Sequence, residues 1–130
     1  MQVLLFDLSG VIYALKLEAV ERILGLGDPI PPGSRTVDLA QFLELAPVAG
    51  AHVALLAGGA VAIVMGLPLG AARIDPSWIL PLPGYMFGSD RPPFRGLIDV
   101  PAQGKSGLRA GALFRTGLLL DEQRLREAAA

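Results

Sequence analysis

The chain has 130 residues, of which 52% are hydrophobic and 18% are charged, and its formal net charge at pH 7 is −1. At this size we expect one folded domain over residues 1–130 with a substantial core, and the composition excludes an intrinsically disordered chain. Because the chain has no cysteine, one histidine (His52) and no basic stripe interleaved with aromatic residues, we expect no cofactor, no metal site and no nucleic-acid partner.

The N-terminal residues predict a β-hairpin. Val3–Leu8 and Val11–Leu17 are apolar runs on either side of Ser9 and Gly10, a pair that is typical of tight turns. We therefore expect two strands joined by this turn.

The residues that follow, Leu17–Leu24, have two interpretations. The spacing of the apolar residues and the i,i+4 spacing of Glu18 and Arg22 favour a helix with an ion pair on its surface. A short turn followed by a strand over Glu21–Leu24 fits the same residues equally well.

Proline and glycine divide the middle of the chain. Gly25–Gly33 contains Pro29, Pro31 and Pro32, which lack the backbone donor that a helix or a sheet needs, so it predicts a loop. Thr36–Leu45 predicts a strand end that runs into a helical turn. A further loop is predicted over Pro47–Ala51.

The longest uncharged run is Val53–Ala72, about the ~20 residues that a membrane-spanning helix needs. The pair Gly58-Gly59 between two apolar stretches favours a hairpin instead, with Gly66, Pro68 and Gly70 ending its second strand. No basic cluster or aromatic belt closely flanks the run, so we expect a hairpin and no membrane insertion.

Two apolar runs near the C-terminus predict strands. They are Phe94–Val100 and Ala110–Leu120, and they follow the loop predicted over Gly84–Pro93. Short strands that are broken at intervals by glycine and proline favour a closed or barrel-like all-β fold over alternating strands and helices.

The chain ends in a predicted helix. Asp121 is a favourable N-cap residue, and Leu125 is expected to face the core. Glu122 and Arg126 have the spacing of an ion pair on the surface of this helix.

These segments, in this order, resemble the CheW-like family of bacterial chemosensory coupling proteins. The N-terminal pattern and the Val-Asp-Leu step into a helical turn are the main features, and weaker likeness continues to the final helix. The matching segments are Phe6-x-Leu8-x4-Tyr13-Ala14-Leu15-x-Leu17-x2-Val20-x2-Ile23, Val37-Asp38-Leu39 with Phe42-Leu43, His52–Leu67, Ile74–Pro83, Phe94-Arg95-Gly96-Leu97 and Leu118–Leu125.

The resemblance implies an all-β fold with short helices, built as two interlocked five-stranded barrels. It also implies a non-enzymatic adaptor that binds the cytoplasmic domain of methyl-accepting chemoreceptors in a groove. A separate face would bind a CheA-type histidine kinase regulatory domain or other CheW-like proteins. Such a protein would be cytoplasmic and associated with receptor arrays.

One segment departs from the family pattern. The family carries a longer stretch with Asn-Leu-Arg-Gly before its Val-Asp-Leu, whereas here only Gly25–Thr36 intervenes, and Arg35 lacks the surrounding motif. The absence of that strand would leave one barrel shorter or open. We therefore expect receptor binding to be retained and kinase binding to be weakened or lost.

By position, the resemblance assigns six residues to partner binding. Arg22 is the most discriminating of them, because its apolar neighbours suit a protein core as well as they suit a groove. The six residues are Leu17, Val20, Arg22, Ile23, Met65 and Leu67.

A catalytic interpretation of the N-terminus remains as an alternative. Leu4–Ile12 also resembles the nucleophile loop of haloacid-dehalogenase-class phosphatases, with Asp7 as the nucleophile. Ser9 stands where the class normally has an acidic proton donor, and no long helix follows the motif. Lys105 and Asp121-Glu122 would have to supply the lysine and the magnesium ligands, so we expect that the chain is not an enzyme.

Two further loops were considered as ligand-binding sites. Gly104-Lys105-Ser106 is not a phosphate-binding loop, since the required glycine five residues earlier is replaced by Asp99. A small ligand-binding barrel that uses Tyr85–Phe87 as a lid stays open as a third class of function.

Overall fold

The computed structural model describes residues 1–25, 27–47, 52–58, 61–81, 94–101 and 114–129. Within these ranges the protein is mainly β, with short helices. The elements in chain order are β1 (Gln2–Leu8), β2 (Val11–Lys16), a first 3-10 turn (Leu17–Ala19), β3 (Val20–Leu24), β4 (Arg35–Asp38), α1 (Leu39–Phe42), β5 (His52–Leu56), β6 (Val61–Met65), β7 (Leu67–Arg73), a second 3-10 turn (Pro76–Trp78), β8 (Phe94–Pro101), β9 (Phe114–Leu120) and α2 (Glu122–Ala128).

The first sheet has five strands in the order β7-β1-β2-β9-β8. Its centre is the predicted N-terminal hairpin, in which Phe6 lies opposite Tyr13. Ser9 and Gly10 have φ values of 55° and 83°, as a two-residue hairpin turn requires. β9, near the C-terminus, pairs in parallel with β2.

The chain that leaves β7 returns to the far edge of this sheet. Leu80 pairs with Leu97 of β8, and each backbone N–H donates to the other's carbonyl at 2.8 Å. Gly96 is next to this bridge, where an added Cβ would lie 2.5 Å from the Leu80 carbonyl oxygen. The glycine of the Phe94-Arg95-Gly96-Leu97 motif therefore allows the sheet to curl towards closure.

The second sheet has four strands in the order β3-β5-β6-β4. β5 and β6 form the predicted antiparallel hairpin, and β4 pairs in parallel with β6. Asp38 ends β4 and accepts hydrogen bonds from the backbone N–H groups of Ala40 and Gln41, which caps α1. The Val-Asp-Leu step is thus a strand followed by a capped helical turn, as predicted.

The two sheets share one hydrophobic core. Residues from both sheets, α1 and α2 form the main cluster, whereas a second cluster lies on the opposite face of the first sheet. A third cluster, on the opposite face of the second sheet, has Leu24, Leu55 and Ala62 as its buried members among the described residues, with Val53 packed against them. The main cluster comprises Leu4, Phe6, Leu8, Tyr13, Leu15, Val37, Leu39, Ala40, Ala54, Leu56, Val61, Ile63, Met65, Leu120, Leu125 and Ala129.

Strand β7 corrects the prediction that Gly66, Pro68 and Gly70 end the local strand. β6 does end before Gly66, but the chain then crosses to the first sheet and pairs with β1 through both Pro68 and Gly70. Proline is tolerated because β7 is an edge strand of the sheet, and Gly70 has a φ of 123° beside a register shift.

The crossing at Gly66 leaves no room for a side chain. A Cβ on this residue would overlap the Asp7 carbonyl oxygen and lie 2.9 Å from the Asp7 carbonyl carbon and 3.2 Å from Leu8 Cα. All three atoms belong to the backbone of β1, so no rotamer change could relieve the contact.

The structure resolves the ambiguity at Leu17–Leu24 in favour of a turn and a strand. Glu18 and Arg22 therefore do not share a helical face, and the expected ion pair has no helix to support it. A helix is disfavoured because β3 pairs with β5 and packs Val20 against the main core.

Helix α2 begins as predicted, with the Asp121 carboxylate accepting from the Gln123 N–H and Leu125 fully buried. The expected Glu122–Arg126 ion pair is wrong. Glu122 instead pairs with Arg95 of β8 at 3.0 Å, and Arg126 donates to the carbonyl of Ala57 at 2.9 Å. Tertiary partners replace the local pair, so α2 is tied to both sheets.

No helix within the described ranges is long and apolar enough to cross a membrane. The uncharged run is occupied by β5, β6 and most of β7. Several sequence predictions lie outside the described residues. These are most of the loop at Pro47–Ala51, the loop over Gly84–Pro93 with its Tyr85–Phe87 lid, and Gly104-Lys105-Ser106.

Ionisation of the buried Tyr13 is expected to destabilise the folded state at high pH. It is 4% exposed and stacks between Phe6 and Phe94, with ring centroids 5.9 and 6.1 Å away. Burial raises the pKa of its hydroxyl above the ordinary value of 10.0, so the folded state holds this proton more tightly than the unfolded state. The contribution of this proton to the free energy of unfolding is fully present below the ordinary pKa. It is lost as the pH rises through the folded-state pKa.

Urea unfolding from neutral to strongly alkaline pH should show this loss, and Tyr13→Phe should reduce it because the variant has no proton to release. An equally steep alkaline decline in Tyr13→Phe would show that Tyr13 is not its source.

Candidate interaction surface

The Leu17–Leu24 segment joins the two sheets and carries four of the six residues assigned to partner binding. Its 3-10 turn leaves β2 of the first sheet, and β3 then enters the second sheet as an edge strand. The Ala57 N–H donates to the Ala19 carbonyl at 2.8 Å, which anchors the turn to the end of β5. We call this stretch the connecting segment.

The connecting segment alternates between the core and solvent, with Glu18 exposed near its start and Leu24 buried at its end. Leu17 and Val20 are partly buried and pack against the main core. The register of β3 with β5 shifts between Val20 and Arg22, so Glu21 is an extra residue in the ladder. Glu21 and Arg22 are exposed, and Ile23 is 39% exposed.

A cleft of about 500 Å³ opens beside the connecting segment. Among the described residues, Met1, Gln2, Leu17 and Glu18 line it. Its volume falls within the range of small-molecule pockets, roughly 300–1,000 Å³, so it has room for a single side chain. The cleft can therefore accept an apolar side chain beside Leu17, while Glu18 offers a carboxylate at its edge.

Arg22 has an unpaired charge within the part of the chain that the structure describes. No carboxylate among those residues lies within ion-pair distance of its guanidinium. An exposed and unpaired guanidinium has five donors available for a carboxylate on another molecule.

The structure does not bring Met65 and Leu67 into this surface. Met65 is fully buried in the main core, so its side chain offers no contact area in this conformation. Leu67 is 58% exposed, but it lies opposite Asp7 at the far end of β1 from Gln2. Five strand residues correspond to roughly 17 Å. Leu67 is therefore available for contact at a separate place.

Other exposed features were not predicted from the sequence. Gln2 and Glu18 line the cleft, and a second hollow of about 450 Å³ is lined by residues that include Trp78, which is 45% exposed. Asp75 in this hollow accepts from both the N–H and the hydroxyl of Ser77, which lowers the pKa of its carboxyl. The sequence signal for the hollow was the Asp-Pro-Ser-Trp string, which is typical of a capped turn.

Asp7 has a structural contact in the N-terminal hairpin. Its carboxylate accepts the backbone N–H of Gly10 at 3.2 Å, across the turn that contains Ser9. The acidic pair that could have supplied magnesium ligands lies elsewhere, since Asp121 caps α2 and Glu122 pairs with Arg95.

The register places Asp7 and Asp121 four strand positions apart, roughly 13 Å along the sheet. Asp7 is level with Ile12 and Gly117, whereas Asp121 follows the end of β9. The described ranges contain no group of three or more histidine, cysteine, aspartate or glutamate residues that could hold a metal ion. Lys105 lies outside the described residues.

No protein-family model and no curated protein matches this sequence. Among solved structures, the chain is similar to that of the scaffolding protein TtCheW from Thermoanaerobacter tengcongensis. The two are 12% identical, the TM-score is 0.60, and the match covers 92% of this chain and 88% of that chain. The predicted resemblance is thus confirmed for the fold, which is mainly β and has two packed sheets.

Proposed function

We propose that this chain is a non-enzymatic adaptor in a bacterial chemosensory signalling system. The observation that carries the proposal is the likeness of its fold, over nearly the whole chain, to a protein described as a scaffold. An adaptor acts through its surface, and the connecting segment offers a cleft beside exposed apolar and charged groups. The protein would act in the cytoplasm, next to receptor arrays.

The proposed partner is the cytoplasmic domain of a methyl-accepting chemoreceptor. An apolar side chain of a receptor helix would enter the cleft beside Leu17, and a receptor carboxylate would pair with Arg22. Helix recognition of this type needs apolar anchors in a groove, with polar contacts that fix the register. Val20 and Ile23 extend the apolar contact, and Leu67 contributes only if the partner reaches the far end of β1.

Coupling to a CheA-type kinase regulatory domain, or to other CheW-like proteins, is proposed to be weakened or lost. In the part of the chain that the structure describes, the second sheet has four strands and its outer cluster has few buried residues. A smaller barrel offers less surface to a partner that packs against it. Weaker kinase binding is therefore expected beside normal receptor binding.

A paired titration of the purified protein tests the proposal. One partner is a receptor cytoplasmic tip and the other is a kinase regulatory domain, both from the same genome as this chain. We expect binding to the tip and little binding to the kinase domain. Binding to both would contradict the weakened coupling, and binding to neither would contradict the adaptor role.

Charge reversal at Arg22 should separate binding from folding. We expect Arg22→Glu to abolish binding to the receptor tip, because it places a carboxylate opposite a carboxylate. The melting temperature should hardly change, since an exposed side chain without an ion pair contributes little, within about 0.5 kcal/mol.

The matched control is Arg35→Glu, which makes the same charge change on β4, at the other edge of the same sheet. Calorimetric titration and thermal unfolding of both variants give the comparison. Equal loss of binding in the two variants would point to overall charge, and retained binding in Arg22→Glu would remove Arg22 from the interface.

The catalytic alternative has no geometric support in the described residues. Asp7 holds a turn, and the acidic pair at Asp121 and Glu122 is engaged elsewhere. If the chain binds neither partner, a magnesium-dependent phosphatase assay that compares the protein with Asp7→Asn would test this alternative directly.

A further inference from the structure

The outer edge of β3 has the properties of a site for strand addition. β3 is the terminal strand of the second sheet and pairs only with β5 among the described residues. A terminal strand presents a row of N–H and C=O groups that a further strand can bind.

The other three sheet edges are less suited to an added strand, and one of them, β8, already pairs with Leu80 at Leu97. β7 contains Pro68, which cannot donate to a ladder, and Gly70 beside a register shift. β4 has only four residues before Asp38 caps α1. β3 contains neither proline nor glycine, and after the extra residue Glu21 its register with β5 is regular.

The side chains along β3 also point to a missing neighbour. Ile23 lies opposite Ala54, and residues directly opposite in an antiparallel pair share a face of the sheet. Ala54 is fully buried in the main core, whereas Ile23 on the same face is 39% exposed. The apolar face of this sheet therefore reaches solvent at Ile23. Arg22 lies opposite Leu55 on the other face of the same strand, and no carboxylate among the described residues pairs with its guanidinium.

A second copy of this chain is a poor occupant. Two identical antiparallel strands can pair all five β3 residues only when the central residue lies opposite its own counterpart. That residue is Arg22, and like charges directly opposite each other destabilise a strand pair. The charge on the edge instead favours a different protein with an acidic residue at this position.

We propose that β3 accepts an extended segment of another protein as an additional antiparallel strand. The segment places an acidic residue opposite Arg22 and an apolar residue opposite Ile23. Antiparallel addition is chosen because such pairs are slightly more stable per residue and more common than parallel ones. The proposal goes beyond the proposed receptor contact, since a helical partner cannot extend a sheet.

The probe is a capped synthetic peptide, acetyl-Thr-Thr-Val-Asp-Thr-Thr-amide. It is titrated into the isotopically labelled 130-residue chain and followed by NMR and amide hydrogen exchange. In the antiparallel register its aspartate lies opposite Arg22 and its valine lies opposite Ile23. We expect shift changes and added protection in β3, and roughly tenfold weaker binding when lysine replaces the aspartate.

Backbone methylation provides the decisive control. In a strand pair, only alternate residues point their N–H groups at a given neighbour. Methylating the valine nitrogen and the aspartate nitrogen in separate peptides should therefore weaken binding roughly tenfold for one peptide and hardly at all for the other. Receptor-tip binding plays no part in this measurement, so its failure and that of the adaptor role are distinguishable.

Three results would overturn the proposal. The first is an absence of shift changes in β3, and the second is equal sensitivity to the two methylations. The third is a concentration-dependent dimer in sedimentation that is abolished by Ile23→Lys, since β3 would then already be occupied by a second copy.

Discussion

Gly66→Ala should destabilise this protein more than alanine at any other described glycine. Gly66 marks the point at which the chain leaves β6 for β7, and an added Cβ would overlap the carbonyl oxygen of Asp7. Because the opposing atoms are backbone atoms of β1, the two sheets would have to separate locally. We expect a loss on the order of 4 kcal/mol or more, a large part of the ~5–15 kcal/mol that stabilises a typical domain.

Gly25→Ala is the matched control for this change. A Cβ at Gly25 would meet only the Asp28 carboxylate oxygen, at an ordinary contact distance of 3.4 Å. Its stability should change by less than about 1 kcal/mol. Urea unfolding of both variants, followed by circular dichroism, measures the difference, and wild-type stability in Gly66→Ala would show that the crossing is looser than the structure has it.

Met65→Ala should lower the free energy of unfolding by about 2–5 kcal/mol. The Met65 side chain is fully buried among residues from both sheets, so its truncation leaves a cavity that the surrounding strands cannot fill without moving. Binding to a receptor tip should be unchanged under conditions in which the variant is folded. A loss of binding without a loss of stability would return Met65 to the partner surface.

Leu67→Ala is the counterpart of Met65→Ala, two residues further along the chain. Leu67 is 58% exposed, so its truncation should change stability by no more than about 0.5 kcal/mol. Any weakening of receptor-tip binding would then be a surface effect. Chemical denaturation and the receptor-tip titration on this pair of variants separate the core role of one residue from the surface role of the other.

Local sequence signals predicted the elements that depend on neighbouring residues alone. Ser9 and Gly10 identified the first hairpin, Asp121 identified the start of α2, and Val37-Asp38-Leu39 identified a strand followed by a helical turn. In each case the residue that sets the backbone conformation, or that caps the helix, lies within a few positions of the element that it determines.

Predictions failed where distant contacts outweigh local preference. Pro68 and Gly70 were predicted to end the strand because the sequence does not show that β7 is an edge strand. On an edge strand, a proline whose nitrogen faces away from the sheet removes no ladder hydrogen bond. Glu122 and Arg126 have ideal spacing for a helix ion pair, yet Arg95 and the Ala57 carbonyl engage them from the two sheets.

The residues assigned to partner binding were likewise predictable only in part from their positions in the chain. Position in the chain identified Leu17, Val20, Arg22 and Ile23 as one continuous stretch, and this stretch is where the two sheets meet. Position could not reveal that Met65 is fully buried while Leu67 is mostly exposed, because the chain changes sheets at Gly66 between them.

The parallel pairing of β2 with β9 has a consequence for the order in which the protein folds. The first hairpin forms from neighbouring residues, but both of its faces are apolar, with Leu4 and Phe6 on one side and Val3 and Leu5 on the other. β9 and α2, which complete its surroundings, come from the opposite end of the chain. Non-local pairings of this kind slow folding and leave apolar strands exposed to other chains. Because β1 and β2 are synthesised before β9, the first sheet can be completed only after β9 has been made, and we expect the hairpin to need protection from aggregation until then.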